Sequence, residues 1–470
     1  SSITGNGCQT ANGLQVSSRG GVASPPGQYC CYYCSRGYPG HYGIVIDSGS
    51  SRSTVYLYEW PGEKKNETGV VKEVLHCRVA GNGISDMGVD PVKDAASWKG
   101  FKACMVNVTE NIPPEKHNKT PLFLGATAGM RLLQMEDEKR SNEVLANLRK
   151  YLGSLPFMFQ NASIISGQEE GLYGWITRLT VMLGKTVGSM DLGGASTQIA
   201  FAVQEDLRGD DYLQVRLYGY PYNVYTHSFL CYGKNEMDKR IQDKNRTYVY
   251  NPCYAEGYNT TTKASVIYNS QCTQKPEDYN PDQDIVMVGD PDADKCVRIV
   301  RSLFDFKNCS SASCSFNGVE QPPVTGDFMK ERFSFCFPFH KHLTKHLQHP
   351  RRCISNLLLI PPLTKEKHWV SERHLKTYCY TGHYVLTLLA NGYKFDTDTW
   401  KNIAFQRQVK DTSVGWSLGY MLSMSNMIPS EARDVTPMAS SVFAGLIFLF
   451  SALTIVTMVL LLIMFVRTCY

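Results

Sequence analysis

The opening stretch carries no readable leader. Its first forty residues hold no charged start followed by an apolar run, the pattern of a secretory signal. They read instead as Gly/Ser-rich chain, "SSITGNGCQTANGLQVSSRGGVASPPGQ", expected to be disordered or aberrant. An exported protein needs an export signal, so the true start is expected to be missing or altered. Paired Cys-x-x-Cys units with matching histidines are also absent, and Cys31-x-x-Cys34 stands alone, which argues against structural zinc. Nor is there a spread-out basic face. The formal charge of +5 conceals ten Lys or Arg against three acids in residues 330–376, which leaves the remainder slightly acidic. Nucleic acid is therefore not an expected partner.

What is present points outward. Residues 442–466, "VFAGLIFLFSALTIVTMVLLLIMFV", carry no charge and no polar face, and at 1.5 Å per residue they span about 37 Å, enough for a hydrocarbon core of about 30 Å. Only Arg467, Thr468, Cys469 and Tyr470 follow, too few charges to set orientation. Seven N-x-S/T acceptors, at Asn66, Asn107, Asn118, Asn161, Asn245, Asn259 and Asn308, all precede that span, which makes an exterior, plasma-membrane ectodomain the expectation. Sixteen cysteines without metal spacing agree with an oxidising compartment. Cys469, beside the membrane, is either palmitoylated or an unmodified thiol. His340, His342, His346 and His349 would share a metal only on a helix; the reading taken is a solvated loop, or sequence foreign to the fold.

Two stretches carry the chemistry. "YGIVIDSGSSRSTVYLY", from Tyr42, reads as two strands around a small-residue turn, and "GSMDLGGASTQIAFAV", from Gly188, repeats the pattern 144 residues later. Two copies of one unit at that spacing predict a duplicated, two-lobed α/β architecture. Small residues let backbone N–H groups converge on an anion that a Cβ would hold away. "DSGSSRS" offers such a nest with hydroxyls at Ser48, Ser50, Ser51 and Ser53, and "DLGGAST" offers Gly193, Gly194, Ser196 and Thr197. Facing nests can grip successive phosphates. The leading Asp47 and Asp191 would repel those phosphates unless a divalent cation, Mg²⁺ or Ca²⁺, lies between. Three further stretches fit that demand. "FLGATAGMRLL" is a strand, a small-residue turn and a helix start, where Thr127 and Gly129 can donate to phosphate. "SGQEEGLYGWITRL" puts Glu169 and Glu170 at a turn before a helix expected over Gly171–Leu183, where a carboxylate either takes a proton from water or caps the helix. "GWSLGYMLSMSNMIP" has helical apolar spacing, with Trp416 read first as core. Residues 141–155 show helical spacing of Val144, Leu145, Leu148 and Leu152.

In chain order, "VIDSGSSRS", "LGATAGMRLL", "GQEEGLYGWIT", "MDLGGASTQ" and "GWSLGYMLSMSNMIP" resemble the five apyrase-conserved regions of the ecto-nucleoside triphosphate diphosphohydrolase family. The wording of "YCYTGHYVLTLLANGYKFDTDTWKNIAF" is similar to the cell-surface subgroup, in the manner of the type 8 or type 2 enzymes. The resemblance implies an actin-like, sugar-kinase-like (RNase H-like) two-lobe fold with the site in the cleft, and hydrolysis of nucleoside tri- and diphosphates (ATP, ADP, UTP, UDP) with Ca²⁺ or Mg²⁺. It assigns Glu170 as catalytic base and Ser196 and Gln198 as the residues that place water. It also assigns Asp47 and Asp191 as metal holders through water, with Trp416 nearby. The phosphate-loop positions it implies are Ser48, Gly49, Ser50, Ser51, Thr127, Gly193, Gly194 and Ala195. It further implies disulfides Cys77–Cys104, Cys231–Cys272, Cys253–Cys296, Cys309–Cys314 and Cys353–Cys379. The chain departs from the family pattern in three places: no N-terminal membrane helix, a short "RLTVMLGKTVG" bridge before "DLGG", and "KERFSFCFPFHKHL" where an aromatic helix supplies the base-stacking tyrosine.

The expected organisation is 1–40 as an N-terminal segment, 41–162 as the first part of lobe I, 163–414 as lobe II, 415–437 returning to lobe I, 442–466 as a transmembrane helix and 467–470 as a cytoplasmic tail. The expected function is a membrane-anchored ectoenzyme acting by metal-assisted in-line attack of water. Two alternatives stand beside it: a catalytically impaired surface protein of the same fold, and an actin-like-fold phosphotransferase. Self-association is left open.

Overall fold

Alternation along one short strand organises the molecule. In β1 (His41–Ser48), Ile44 and Ile46 point to one face of a sheet and Val45 to the other, and all three are fully buried. The computed structural model describes residues 40–60, 71–81, 83–181, 186–204, 209–217, 219–242, 247–254, 256–308, 314–331, 378–406, 408–409, 412–426 and 440–469. β1 forms an antiparallel hairpin with β2 (Ser53–Trp60), and β3 (Lys72–Arg78), β4 (Pro121–Ala126) and β5 (Met158–Ile164) complete a five-stranded sheet in the order β3-β2-β1-β4-β5. β4 is parallel to β1 and to β5, so the chain crosses over through helices. α1 (Ala95–Glu110), α2 (Ala128–Glu136) and α3 (Glu138–Gly153) do this, and Trp98, Phe101, Leu145 and Leu148 close over Ile44 and Ile46. Each such large apolar side chain contributes about 1.5–3 kcal/mol by burial.

The second sheet is built from β6 (Gly188–Leu192), β7 (Ser196–Val203), β8 (Tyr212–Leu217), β9 (Tyr220–Leu230), β13 (Phe328–Glu331) and β14 (Ile403–Gln406), in the order β14-β13-β6-β7-β9-β8. Its β6–β7 hairpin repeats β1–β2: strand, aspartate, small-residue turn, antiparallel strand. A small third sheet joins β10 (Tyr248–Asn251), β11 (Asn259–Lys263) and β12 (Asp284–Gly289), with α5 (Lys234–Gln242), α6 (Ala264–Tyr268) and α7 (Ala293–Ser302) alongside in sequence.

One hydrophobic cluster draws on both large sheets. Val45, Tyr58 and Phe123 from the first, and Ala200, Leu217 and Val224 from the second, enclose α4 (Gly167–Val181) together with the helix Ser417–Asn426. That helix, α9 in chain order after α8 (Tyr378–Leu386), is pinned by Ser417 Oγ to Tyr58 Oη at 2.9 Å and by the Gly419 N–H donating to Thr177 Oγ1 at 2.8 Å. Arg178 of α4 is buried, its guanidinium donating to the carbonyls of Gly174, Met190 and Met329 at 2.6, 3.2 and 3.0 Å, which fixes α4 across β6 and β13. The segment between α4 and β6 thus follows an anchored helix and precedes an anchored strand.

Disulfides Cys77–Cys104, Cys231–Cys272 and Cys253–Cys296 are formed. Cys314 is also disulfide-bonded, while Cys309 lies outside the described residues. The expected Cys353–Cys379 bridge rests on a residue outside the described ones; among the described residues Cys379 is a buried thiol whose sulfur lies near Cys296 of α7. Cys353 lies outside the described residues. So do the N-terminal segment, Cys31 and Cys34, the four histidines from His340 to His349 and the "KERFSFCFPFHKHL" segment after Glu331. The last helix, α10 (Ser440–Cys469), holds an apolar run Val442–Arg467 long enough to cross a membrane, none of it buried inside the protein.

Candidate active site

The first turn closes itself. The Gly49 N–H donates to the Arg52 carbonyl at 3.0 Å, and the hydroxyls of Ser48 and Ser53 bond each other at 2.9 Å. Ser48 is therefore drawn inward, and Ser50 and Ser51 are left at the tip. The start of α2 is held against this turn: the Thr127 N–H donates to the Ser48 carbonyl at 3.0 Å. The approach is so close that a Cβ at Gly129 would lie 2.6 Å from Ser50 Cα. A helix N-terminus, with its unpaired N–H groups, thus abuts the nest.

The second turn meets the first. The Gly193 N–H donates to the Ser196 carbonyl at 3.0 Å, and the N–H groups of Lys234 and Asn235 donate to the Gly193 and Gly194 carbonyls at 2.9 and 2.8 Å. Ala195 is buried beneath. A Cβ added to Gly194 would lie 2.5 Å from Ser50 Oγ and 3.6 Å from Ser51 Oγ. The two turns, 144 residues apart in sequence, are in contact. Asp47 sits in register between Thr54 and Gly125 at the foot of the first, and Asp191 faces Gln198 at the foot of the second. Each of the two contacting turns thus has a carboxylate at its foot, a hard oxygen donor of the kind that hydrated Mg²⁺ or Ca²⁺ takes.

Sequence left Glu169 and Glu170 with one role to divide between them, and the structure separates them. Glu169 caps α4: its Oε2 accepts from the Ser166 N–H at 2.8 Å while its own N–H donates to Ser166 Oγ at 3.1 Å. Glu170 turns inward and is only 6% exposed. Its Oε2 accepts from Gln198 Nε2 at 2.9 Å and is ion-paired with Arg131. Burial pushes its carboxyl up to about 7; the Arg131 guanidinium pulls the other way, and the nearby Asp191 adds to the rise. The same Gln198 amide donates to Ser196 Oγ at 2.7 Å and Ser228 Oγ at 3.0 Å, leaving Gln198 Oε1 buried without a partner among the described residues. A carboxylate titrating near neutrality, a serine hydroxyl and an unsatisfied amide oxygen make a site able to orient a water and take its proton.

Trp416 is a core residue that also supports the site. It is buried, stands edge-on to Tyr420, and its ring fills the space where a Gly125 Cβ would be, 2.5 Å away. Gly125 is the register neighbour of Asp47. Three residues escaped the sequence reading. Arg131 stood in the quoted "GMRLL" as a lone cation in an apolar run, the one signal that marks it. Ser228 is the register partner of Gln198 on β9, and Tyr393 bonds Thr197 Oγ1 at 3.0 Å.

Residues 38–437 match the GDA1/CD39 (nucleoside phosphatase) family. The chain belongs to the GDA1/CD39 family. Relatives within reach of this member include human ectonucleoside triphosphate diphosphohydrolase 3, 41% identical over 87% of this chain and 83% of its own length. Mouse ectonucleoside triphosphate diphosphohydrolase 1 is 40% identical over 88% and 86%, and the chicken type 2 protein is 39% identical over 83% and 84%. Among solved structures, a nucleoside triphosphate hydrolase from Neospora caninum superposes with a TM-score of 0.53 at 16% identity, covering 82% of this chain and 92% of its own. This GDA1/CD39 member therefore has the two-lobed α/β fold that its duplicated turns predict.

Proposed function

We propose that this protein is a membrane-anchored ectoenzyme that hydrolyses nucleoside tri- and diphosphates to the monophosphate and phosphate. The observation that carries the reading is the contact between the two turns at Ser50 and Gly194, with Glu170, Gln198 and Ser196 hydrogen-bonded together beside it. Backbone N–H groups of the turns, the Ser50 and Ser51 hydroxyls and the start of α2 at Thr127 hold the phosphates. Ser196 and Gln198 orient a water, and Glu170 accepts its proton as the oxygen attacks the terminal phosphorus in line. Positioning and charge stabilisation supply most of the rate in such transfers. Asp47 and Asp191 would hold Ca²⁺ or Mg²⁺ through its waters, and the ion would neutralise phosphate charge. Arg131 keeps the Glu170 carboxylate charged and aimed.

The exterior side is the side of the acceptors. Asn107, Asn118, Asn161, Asn259 and Asn308 are all exposed, and all lie N-terminal to the apolar helix; an ectodomain at the plasma membrane follows. Neither alternative is favoured. The assembled Glu170 network argues against an inactive scaffold, and relatives named as diphosphohydrolases argue against a phosphotransferase.

The test uses the full chain in detergent, with ATP, ADP, UTP or UDP and either cation, reading phosphate release without any acceptor. Release is expected, lost on chelation, and reduced at least 100-fold in Glu170→Gln with nucleotide binding retained. A blank wild type, or a Glu170→Gln chain of normal turnover, overturns the proposal.

A further inference from the structure

The Gln198 amide has more acceptors around its nitrogen than hydrogens to give. Nε2 lies 2.9 Å from Glu170 Oε2, 2.7 Å from Ser196 Oγ and 3.0 Å from Ser228 Oγ, yet an amide nitrogen carries two donors. On the other side of the same group, Oε1 is buried with no partner among the described residues. Which way round the carboxamide sits therefore decides what the site offers to a water. Ser228 bears on that choice. It stands on β9 as the register partner of Gln198. The Arg131 guanidinium approaches both serines, Nη1 to Ser228 Oγ and Nη2 to Ser196 Oγ, each at 3.5 Å. A cation there turns the hydroxyl oxygens inward and their hydrogens away. The place is also kept clear: a Cβ on Gly167, the first residue of α4, would lie 2.4 Å from Ser228 Oγ and 2.6 Å from Arg131 Nη1.

We propose that Ser228 is a positioning residue that fixes the orientation of the Gln198 carboxamide, so that its nitrogen faces Glu170 and its oxygen faces the attacking water. The inference rests on the hydrolytic reading above and deepens it. A water has two hydrogens and two lone pairs. With one hydrogen accepted by Glu170 and the other by Gln198 Oε1, a lone pair is left to point at phosphorus. As the new P–O bond forms, Glu170 takes the first proton, and the leaving nucleotide keeps the electron pair of the bridging P–O bond that breaks.

A reversed amide would undo this. Its N–H would donate to the lone pair that must attack, and its oxygen would stand against the Glu170 carboxylate, acceptor against acceptor. Ser196 also serves the water, so its hydroxyl cannot hold the amide alone. Ser228 has no second duty: its oxygen, turned toward Nε2 by Arg131, favours the nitrogen-inward arrangement throughout the reaction.

The experiment measures kcat and KM for ATP with Mg²⁺ on the full chain in detergent, for the wild type, Ser228→Ala, Gln198→Ala and the double variant. Ser228→Ala should lower kcat about tenfold or more and leave KM within about twofold, because Ser228 touches neither phosphate nor metal in this reading. On the Gln198→Ala background the same substitution should change kcat by less than about twofold, since no amide remains to orient. Should the alanine variant fail to fold, Ser228→Cys, which keeps the shape and offers only a weak acceptor, takes its place. A wild type that releases no phosphate sinks the hydrolytic reading and this inference together. An active wild type with an undiminished Ser228→Ala, a loss carried in KM, or an equal loss on the Gln198→Ala background overturns the inference alone.

Discussion

At the scale of single residues, Glu170 is held between opposing demands. Burial and Asp191 favour its neutral form; Arg131 and the Gln198 amide favour the carboxylate, and the carboxyl titrates at about 7. A base must be ionised, so kcat/KM of the wild type is expected to fall about tenfold per pH unit below 7. Removing the cation raises the carboxyl further. Arg131→Met should therefore move the acid limb of the pH–rate profile upward by about one unit or more, read from initial rates between pH 5 and 9. A second consequence concerns stability. The native carboxyl binds its proton more tightly than the unfolded one, whose ordinary value is 4.5. Its contribution is thus fully present below pH 4.5 and lost as pH rises through 7. Glu170→Gln should unfold at a higher temperature than the wild type at pH 8, with the gap narrowing toward pH 4.5; a gap that does not depend on pH would mean that Glu170 is not strained as described.

Secondary elements meet through contacts that leave no spare volume. Where β4 passes α9, the indole of Trp416 occupies the place of a side chain at Gly125. Gly125→Ala is expected to cost about 1–3 kcal/mol by overpacking, lowering the thermal midpoint by a few degrees, and Trp416→Phe on that background should restore part of the loss. Strictly additive effects in the double variant would contradict direct contact. The same scale explains what was legible in advance. The two hairpins, α3 and α4 announce themselves through local signals: alternation, a small-residue turn, apolar residues at helical spacing, an acidic first turn. Arg131, Ser228 and Tyr393 do not, because each gains its role from a partner far away in sequence. Arg131 meets Glu170 only once α2 and α4 are placed, and Ser228 meets Gln198 only through the register of β7 with β9.

For the molecule as a whole, the C-terminal part of the chain does two separable jobs. α9 completes the hydrophobic cluster that both large sheets share, whereas α10 buries none of its apolar run in the protein. A chain ending at residue 438 should partition into the aqueous phase of a detergent phase-separation assay and keep phosphate release. One ending at residue 414 should lose the activity and aggregate, since Trp416, Leu418, Met421 and Leu422 would leave a large apolar void. Thirteen residues, 427–439, join α9 to α10. At full extension they reach about 45 Å. With α10 seated in a bilayer, that reach bounds how far the end of α9 can stand from the lipid. So anchored, the site would draw nucleotide from the film of water hugging the lipid before the bulk around it.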